Sequence, residues 1–361
     1  MNADAQPHLP AASLAESAEE RVRVVTAALS RRYGVRAAAI VPIPAGTSTW
    51  NYTVTSDQGE QRFAKVYRDR AAVAAQREAI EVARFARAGG LAVPDLVPTL
   101  DGGIIAEDGR VAVSLWEYLP HTRTAEGALD GPCWEAVGAE VGRLHRRLAE
   151  HPAARPRLSA GTGVCDPIRA TQRYDRALSG YAARSGLDTF ERWAFETLRR
   201  RRDLLPEVAE LVDALPALTT QVLHGDLASP NLLLNGEAVA GIVDFRPPRR
   251  GFTAWEIGRI ACDPQSVLRT DPAGQWLPGL LRFADAYRDQ HPGGPVRDLV
   301  FAPRCTLAYT LTSLYPLAEP LDAPDAVDDA LRVYGRRRHE TAMLLLERLE
   351  EVEEALRDHL D

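Results

Sequence analysis

The residues with the clearest chemical potential lie in one stretch, 222–245, which contains two aspartates and an asparagine. Asp226 is followed by Asn231 five residues later and by Asp244 eighteen residues later. Two short apolar runs around the turn 235–236 separate Asn231 from Asp244 and predict a β-hairpin. Because a hairpin brings its two ends back together, the three side chains are predicted to lie close to one another.

Two carboxylates and one amide oxygen form a set of hard oxygen ligands of the kind that Mg²⁺ prefers. Mg²⁺ needs only one or two protein carboxylates beside waters and phosphate oxygens, so the other carboxylate is left to accept a proton. Each of the three residues alone is typical of an ordinary turn or cap. Their combination indicates a Mg²⁺ site beside a carboxylate that can accept a proton.

Lysine occurs only once in the chain, at Lys65, although the sequence contains 43 basic residues. Lysine has a compact ammonium group, whereas arginine has a planar guanidinium group. A single lysine in an arginine-rich chain therefore indicates either a position where the two cations are not interchangeable or a lysine retained by chance.

The elements that must position these residues fall into two parts with different patterns. Before residue 119, short β-rich runs predict an antiparallel sheet, and two helices are predicted over 17–32, capped by Ser17, and over 69–88. The predicted strands are 37–43, 50–55, 62–67, 103–106 and 111–118.

Beyond residue 119 the sequence is mostly helical, with one β-like island at 221–245. The predicted helices are 133–150, 171–185, 187–204, 274–290 and 326–359. The predicted fold class is α+β, with a small lobe of antiparallel sheet and one main helix followed by a larger, mostly helical lobe. The predicted regions are 1–34, a tail and helix; 35–118, the small lobe; and 119–361, the large lobe.

The residue order VLHGDLASPN at 222–231, followed by IVDF at 242–245, resembles the catalytic loop of the aminoglycoside phosphotransferase and choline kinase superfamily. The resemblance implies a protein-kinase-like bilobal fold and transfer of the γ-phosphate of ATP or GTP, with Mg²⁺, to a small-molecule hydroxyl. It implies that Asp226 is the catalytic base and that Asn231 and Asp244 bind the metal.

The same resemblance assigns the small lobe to the nucleotide and the large lobe to the catalytic loop and the acceptor. Lys65 matches a lysine that contacts the α- and β-phosphates, and Glu78 resembles its partner acid. Glu81, one helical turn further, is the alternative partner. A compact ammonium group fits between two phosphates and a carboxylate where a guanidinium group is too large.

Two further segments are implied to bind the nucleotide through the main chain. Gly46, Thr47 and Ser48 lie in the loop that would cover the phosphates. The segment 116–119 resembles the hinge that holds adenine, with the Glu117 carbonyl and the Leu119 N–H as its hydrogen-bonding groups.

Several alternatives are weighed against a small-molecule kinase. Gly225 replaces the arginine of the protein-kinase His-Arg-Asp loop, which disfavours a protein kinase. A non-catalytic pseudokinase is disfavoured because all five polar positions needed for transfer hold competent residues. A Walker-type NTPase is excluded because its glycine- and lysine-containing loop is absent. Arg246 follows Asp244-Phe245 where many relatives have glycine.

The net charge of −7 arises from 319–361, which contains 13 acidic and 6 basic residues. The segment predicts either a solvated amphipathic helix or an acidic surface that attracts a cationic acceptor. The second interpretation favours an antibiotic-like acceptor, such as an aminoglycoside or another amine-bearing molecule. A small metabolic alcohol, such as homoserine, choline or a sugar, is the alternative. The charge balance argues against nucleic acid as a partner.

The sequence contains no apolar run long enough for a membrane span and no signal-peptide pattern at its start, which predicts a cytoplasmic protein. Its four cysteines are widely spaced, which argues against a zinc site or a disulfide framework. The oligomeric state is left open by the sequence.

Overall fold

The computed structural model of the protein describes residues 17–44, 49–109 and 111–361. Within these ranges, no helix is both long enough and apolar enough to cross a membrane.

The described residues form two compact units. The first unit extends to Thr122 and also contains Ala240–Pro248, whereas the second contains Arg123–Val239 and Arg249–Asp361. The first is built around a sheet and the second mainly from helices, so the predicted α+β class is confirmed. The predicted regions stay a prediction, and they did not include the return of Ala240–Pro248 to the first unit.

The first unit is an antiparallel sheet with flanking helices. In chain order its elements are α1 (Ala18–Tyr33), β1 (Ala37–Ile43), β2 (Thr49–Ser56), β3 (Gln61–Tyr67), α2 (Val73–Ala88), β4 (Leu96–Val97), β5 (Ala106–Asp108) and β6 (Val111–Glu117). The strand order is β1-β2-β3-β6-β4, with β5 paired to β6. The Ser17 hydroxyl accepts a hydrogen bond from the N–H of Glu20, as the predicted cap requires.

The alternation of side chains along β3 places the lysine on one face of this sheet. Val66 is buried in the core cluster that includes residues of α1. Lys65 and Tyr67 point to the opposite face, where Tyr67 packs with buried residues of α2. In the strand register, Lys65 stands between Asn51 of β2 and Ser114 of β6.

The second unit contains short strands and most of the helices. In chain order the remaining elements are β7 (Arg123–Thr124), α3 (Cys133–Leu148), β8 (Arg157–Ser159), α4 (Pro167–Ala182), α5 (Thr189–Asp213), β9 (Leu218–Val222), β10 (Leu232–Asn235), β11 (Ala238–Ile242), β12 (Arg250–Phe252), α6 (Thr253–Ala261), α7 (Pro264–Thr270), α8 (Trp276–Gln290), α9 (Val296–Val300), α10 (Ala302–Thr312), α11 (Glu319–Asp322) and α12 (Asp329–Leu360). The predicted hairpin is formed by β10 and β11, and β11 carries the chain into the first unit.

Helix α5 is longer than the sequence predicts. The predicted helix ends at residue 204, before Pro206, whereas α5 continues to Asp213 with the proline inside it. A proline in a helix interior costs about 3 kcal/mol relative to alanine. Leu205, Val208 and Val212 continue the buried face on both sides of the proline, so packing outweighs the local preference.

Helix α6 was missed by the sequence prediction. It has 9 residues, and most of them are buried, including Glu256 and Gly258. A side chain at Gly258 would meet the backbone of Ala302 and the hydroxyl of Thr306, so α6 and α10 approach closely there. A short helix that is buried on nearly all sides lacks the polar face by which a helical period is recognised.

Candidate active site

In the first unit the single lysine is held by a predicted metal ligand. The Nζ of Lys65 donates to Oδ1 of Asp244, which lies just beyond the end of β11. The Lys65 side chain is 17% exposed and that of Asp244 is 50% exposed. Two residues that the sequence assigned to separate roles are therefore direct partners.

The backbone at Asp244 adopts an uncommon conformation. Its φ of 65° lies in the left-handed region, which costs most residues about 1–2 kcal/mol but which aspartate enters more readily. Just before it, the N–H of Ile242 donates to the carbonyl of Ala92 over 2.6 Å. The chain therefore turns at Asp244, and the hydrogen bond from Ile242 to Ala92 fixes this turn to the rest of the first unit.

The acidic residues predicted to pair with Lys65 lie elsewhere on α2. Glu78 is exposed, and the structure records no ion pair for it within the described ranges. Glu81 pairs with Arg84 on its own helix over 3.0 Å. Asp244 takes the place of the predicted carboxylate, because one small ammonium group pairs with the carboxylate nearest to it. The assignment of Glu78 to the nucleotide site stays a prediction.

The predicted hinge has a defined main-chain geometry in the first unit. The Glu117 N–H donates to the Asp95 carbonyl over 2.7 Å, and the Asp95 N–H donates to the Glu117 carboxylate over 3.1 Å. The Leu119 carbonyl accepts a hydrogen bond from Thr122 over 3.0 Å. Gly46, Thr47 and Ser48, predicted to cover phosphates, lie outside the described residues.

In the second unit the catalytic-loop candidates are brought together by a tight turn. The Asn231 amide Nδ2 donates to the Asp226 carbonyl over 2.8 Å. The Asp226 N–H donates to Nδ1 of His224 over 3.2 Å, which supports a structural role for this histidine. With Nδ2 engaged, Oδ1 of Asn231 is the amide atom suited to a metal.

The loop is anchored by Glu256, a residue that sequence reasoning missed. Its carboxylate accepts the N–H of His224 over 3.1 Å and the N–H of Gly225 over 2.8 Å. His145 contributes a third contact through Nε2 at 3.1 Å, and its Nδ1 meets the Tyr287 hydroxyl at 2.9 Å. His145 therefore supports the same Glu256 carboxylate that accepts the loop N–H groups.

The charge on Glu256 is stabilised inside the protein. Its side chain and that of His145 are fully buried. Burial opposes the carboxylate charge, but the hydrogen bond and charge of His145 and the N–H of Gly225 outweigh it. The pKa of Glu256 is therefore below its ordinary value.

Arg259, one helical turn beyond Glu256, was also missed. Its NH1 group donates to Oδ1 of Asp226 over 2.9 Å. Its guanidinium carbon lies 5.2 Å from the centre of the Trp255 ring. Burial opposes its charge, but the charge of Asp226 outweighs burial and raises the pKa of Arg259. Glu256 and Arg259 are three residues apart, a spacing that places both side chains on one face of a helix. That spacing could have indicated from the sequence that both contact the same loop.

Helix α12 reaches the catalytic loop through α7. Ser229 of the loop contacts Asp263, whose carboxylate also caps α7 by accepting the N–H of Ser266. Gln265 of α7 accepts a hydrogen bond from Arg337 of α12. The first third of α12 is therefore packed next to the segment that supports the loop.

Two tyrosines lie in this neighbourhood. The ring centres of Tyr315 and Tyr334 are 6.2 Å apart, with planes inclined by 52°. Burial raises the pKa of Tyr315 to about 12, and the charges of Glu319 and Asp226 act in the same direction. Tyr334 likewise affects the pKa of Arg259.

Each unit holds one of the two predicted metal ligands. Asp244 in the first unit offers a half-exposed carboxylate, and Asn231 in the second offers an amide oxygen, and Mg²⁺ accepts both types of donor. No cluster of three His, Cys, Asp or Glu side chains suited to a metal occurs in the part of the chain that the structure describes.

The sequence matches the model of a known protein family. The model of the phosphotransferase enzyme family matches residues 39–296. A search of curated proteins found no match.

Solved structures of small-molecule kinases share the fold at low sequence identity. A spectinomycin phosphotransferase, solved with ADP and spectinomycin, superposes with a TM-score of 0.60 at 11% identity, covering 89% of this chain and 97% of that one. A microcompartment-associated aminopropanol kinase gives 0.58 at 20% identity, covering 92% and 98%. An amicoumacin kinase, solved with AMP-PNP and Ca²⁺, gives 0.58 at 15% identity, covering 90% and 93%.

The anchoring role of Glu256 predicts a pH-dependent loss of stability in Glu256→Gln. A neutral amide has one acceptor oxygen and no negative charge, so it cannot replace the carboxylate that accepts both loop N–H groups. The free energy of unfolding should therefore fall by about 1–3 kcal/mol at pH 7. Because the folded pKa of Glu256 is lowered, its stabilisation is present above the unfolded value of about 4.3 and is lost as the pH falls through the folded value. Urea denaturation at pH 7 and at steps below pH 5 measures both effects.

Glu196→Gln is the matched control, because Glu196 is 65% exposed and its ion pair with Arg199 spans 3.4 Å. Its effect should stay within about 0.5 kcal/mol. A difference between wild type and Glu256→Gln that does not shrink toward acid pH would contradict the charged anchor.

Proposed function

Since the chain belongs to the phosphotransferase enzyme family, we propose that it transfers the γ-phosphate of ATP or GTP to a hydroxyl group of an amine-bearing small molecule. Membership of the family makes the protein a phosphotransferase with a hydroxyl group as acceptor. The use of ATP or GTP and the amine on the acceptor are the proposal. The observation that carries the proposal is the loop in which Asp226 is held by Asn231, Arg259 and the Glu256 anchor.

In the proposed reaction Asp226 receives the proton of the acceptor hydroxyl as the hydroxyl oxygen forms a bond to the γ-phosphorus. The bond between the γ-phosphorus and the β-bridging oxygen breaks, and the nucleoside diphosphate leaves with its electron pair. Lys65 contacts the phosphates and aligns them. Asn231 and Asp244 would hold Mg²⁺, which neutralises phosphate charge when bound. Catalysis is mainly positioning and charge stabilisation.

The surroundings of Asp226 support an amine-bearing acceptor. Tyr315 is 44% exposed and offers a ring face to a ligand. A cation over a tyrosine face is attracted by about 0.5–2 kcal/mol. Glu319, the first residue of the acidic segment, acts on Tyr315 and supplies a carboxylate at the same place. Aminopropanol, the acceptor in the name of one structural neighbour, is an amine-bearing alcohol.

The rest of the acidic segment contributes less to this site. Tyr334 lies 13 residues before Glu347 on α12. At a helical rise of about 1.5 Å per residue, these positions are separated by about 20 Å. The distant acidic residues of α12 therefore attract a cationic acceptor less strongly than Glu319 does, because salt screens exposed charges beyond about 10 Å.

A panel of acceptors tests the function with Asp226→Asn as the inactive reference. Amine-bearing alcohols, namely 1-amino-2-propanol, glucosamine, spectinomycin and an aminoglycoside, should raise nucleotide consumption above the rate without acceptor. Glucose and glycerol test alcohols without an amine, whereas homoserine and choline, which carry a cationic nitrogen, test the metabolic alternatives. Asp226→Asn should lower turnover at least about 100-fold, because it removes the base. Diphosphate release and the mass of the product are measured together.

Asp285→Asn is the matched control, because Asp285 is 53% exposed and pairs with His359. Turnover by Asp226→Asn at the rate of this control would remove Asp226 from the reaction. Mg-nucleotide binding without turnover of any acceptor would favour the pseudokinase alternative.

Lys65→Arg should keep the fold and lower kcat/KM at least about tenfold, or about 1.4 kcal/mol of transition-state stabilisation. The larger guanidinium group cannot replace the ammonium group between phosphates and the Asp244 carboxylate. Steady-state kinetics with the nucleotide varied measures the loss, and the midpoint of thermal unfolding checks the fold. Unchanged kcat/KM would place the phosphates away from Lys65.

Tyr315→Leu should raise KM for the preferred amine-bearing acceptor about tenfold while leaving KM for the nucleotide unchanged. Tyr315→Phe keeps the ring face and should stay close to wild type. Kinetics with the acceptor and its N-acetylated form compare a charged with a neutral amine. An equal effect on both forms would show that the ring does not recognise the positive charge.

A further inference from the structure

The contact between Arg259 and Asp226 has been given no step in the proposed reaction. The two side chains are 25% and 28% exposed, respectively, and NH1 of Arg259 lies 2.9 Å from Oδ1 of Asp226. Both groups are partly buried, so the hydrogen bond between them restricts the reactive carboxylate. The contact is therefore best explained by what it does to that carboxylate.

The guanidinium group is itself held in place. The Trp255 ring lies 5.2 Å from the Arg259 guanidinium carbon, and the Tyr309 ring centre lies 5.0 Å from that of Trp255. A planar guanidinium group stacked on an aromatic ring loses rotational freedom before it donates a hydrogen bond. Arg259 therefore presents its N–H group to Asp226 in a restricted orientation.

The same helix holds the main chain and the side chain of the loop. Glu256 accepts the N–H groups of His224 and Gly225, which immediately precede Asp226. Arg259 follows Glu256 by three residues and donates to the Asp226 carboxylate. Residues three apart share one face of a helix. Helix α6 therefore fixes both where the loop backbone lies and how the Asp226 carboxylate is turned.

We propose that Arg259 is a positioning residue that orients the Asp226 carboxylate toward the acceptor hydroxyl. The proposal rests on the proposed function, because it requires Asp226 to be the base. Arg259 acts through Asp226, and no contact between Arg259 and a substrate is required.

The charged and titratable groups around this carboxylate come from several elements. His224 lies on the loop itself, whereas Arg259 and Glu256 lie on α6. Tyr315 and Tyr334 come from the segment after α10 and from α12. Arg259 is the cation in direct ion-pair contact with the carboxylate.

The experiment compares wild type with Arg259→Met, Arg259→Gln and Arg259→Lys, with kcat and KM measured for both the nucleotide and the acceptor. In the Met and Gln variants kcat should fall at least about tenfold, and KM for the nucleotide should stay within about twofold. The Lys variant should restore only part of kcat, because it keeps the charge without the planar fork that fixes the carboxylate.

Arg269→Met is the matched control. Arg269 lies on the neighbouring helix α7 and pairs with Asp130 over the same 2.9 Å, away from the catalytic loop. It should leave kcat and both KM values unchanged. An unchanged kcat in Arg259→Met, or an equal loss in Arg269→Met, would overturn the proposal.

Two further measurements separate the possible failures. The midpoint of thermal unfolding identifies a variant that does not fold, in which case the Gln and Lys variants decide the outcome. In the Asp226→Asn background, Arg259→Met should have no further effect on kcat, because its target is already removed. High turnover by Asp226→Asn would refute the proposed base, whereas an inactive Asp226→Asn with unchanged kcat in the Arg259 variants would refute the positioning role alone. Where no acceptor is turned over, the same comparison is made on nucleotide hydrolysis with water as the acceptor.

Discussion

The catalytic loop depends on one buried carboxylate. Glu256 lies within a short buried helix and receives two consecutive N–H groups of the loop, while His145 supports it from the other side. A buried carboxylate is tolerated only when hydrogen bonds and positive charge replace the water it has lost. The same groups that stabilise Glu256 therefore fix the backbone at His224 and Gly225, and through them the position of Asp226.

Each of the two reactive aspartates has a cation as a direct partner within its own unit. Lys65 holds Asp244 in the first unit, and Arg259 holds Asp226 in the second. The two cations suit different tasks, because an ammonium group is compact and a guanidinium group is planar and directional. The single lysine thus stands at the carboxylate proposed to bind metal, whereas an arginine stacked on Trp255 stands at the proposed base.

Local patterns predicted much of the fold. The strands near 37–43, 50–55 and 62–67 and the capped helix after Ser17 are present because alternation and capping act over a few residues. Helix α6 escaped prediction because it is short and buried on nearly all sides, and α5 was predicted too short because packing around Pro206 outweighs the local cost. Both errors occurred where tertiary contacts, not local preferences, decide the structure.

The sequence by itself determined the chemical groups: Asp226, Asn231 and Asp244 at kinase-like spacing, and one lysine among many arginines. Only the tertiary structure decided which groups meet. Lys65 and its partner Asp244 are 179 residues apart, His145 and Glu256 are 111 apart, and Asp226 and Arg259 are 33 apart. Spacing along a chain specifies contacts only within a helical turn or a hairpin, whereas pairs this distant form only when separate elements pack. For that reason the reactive groups were visible in the sequence, but the partners that hold them were not.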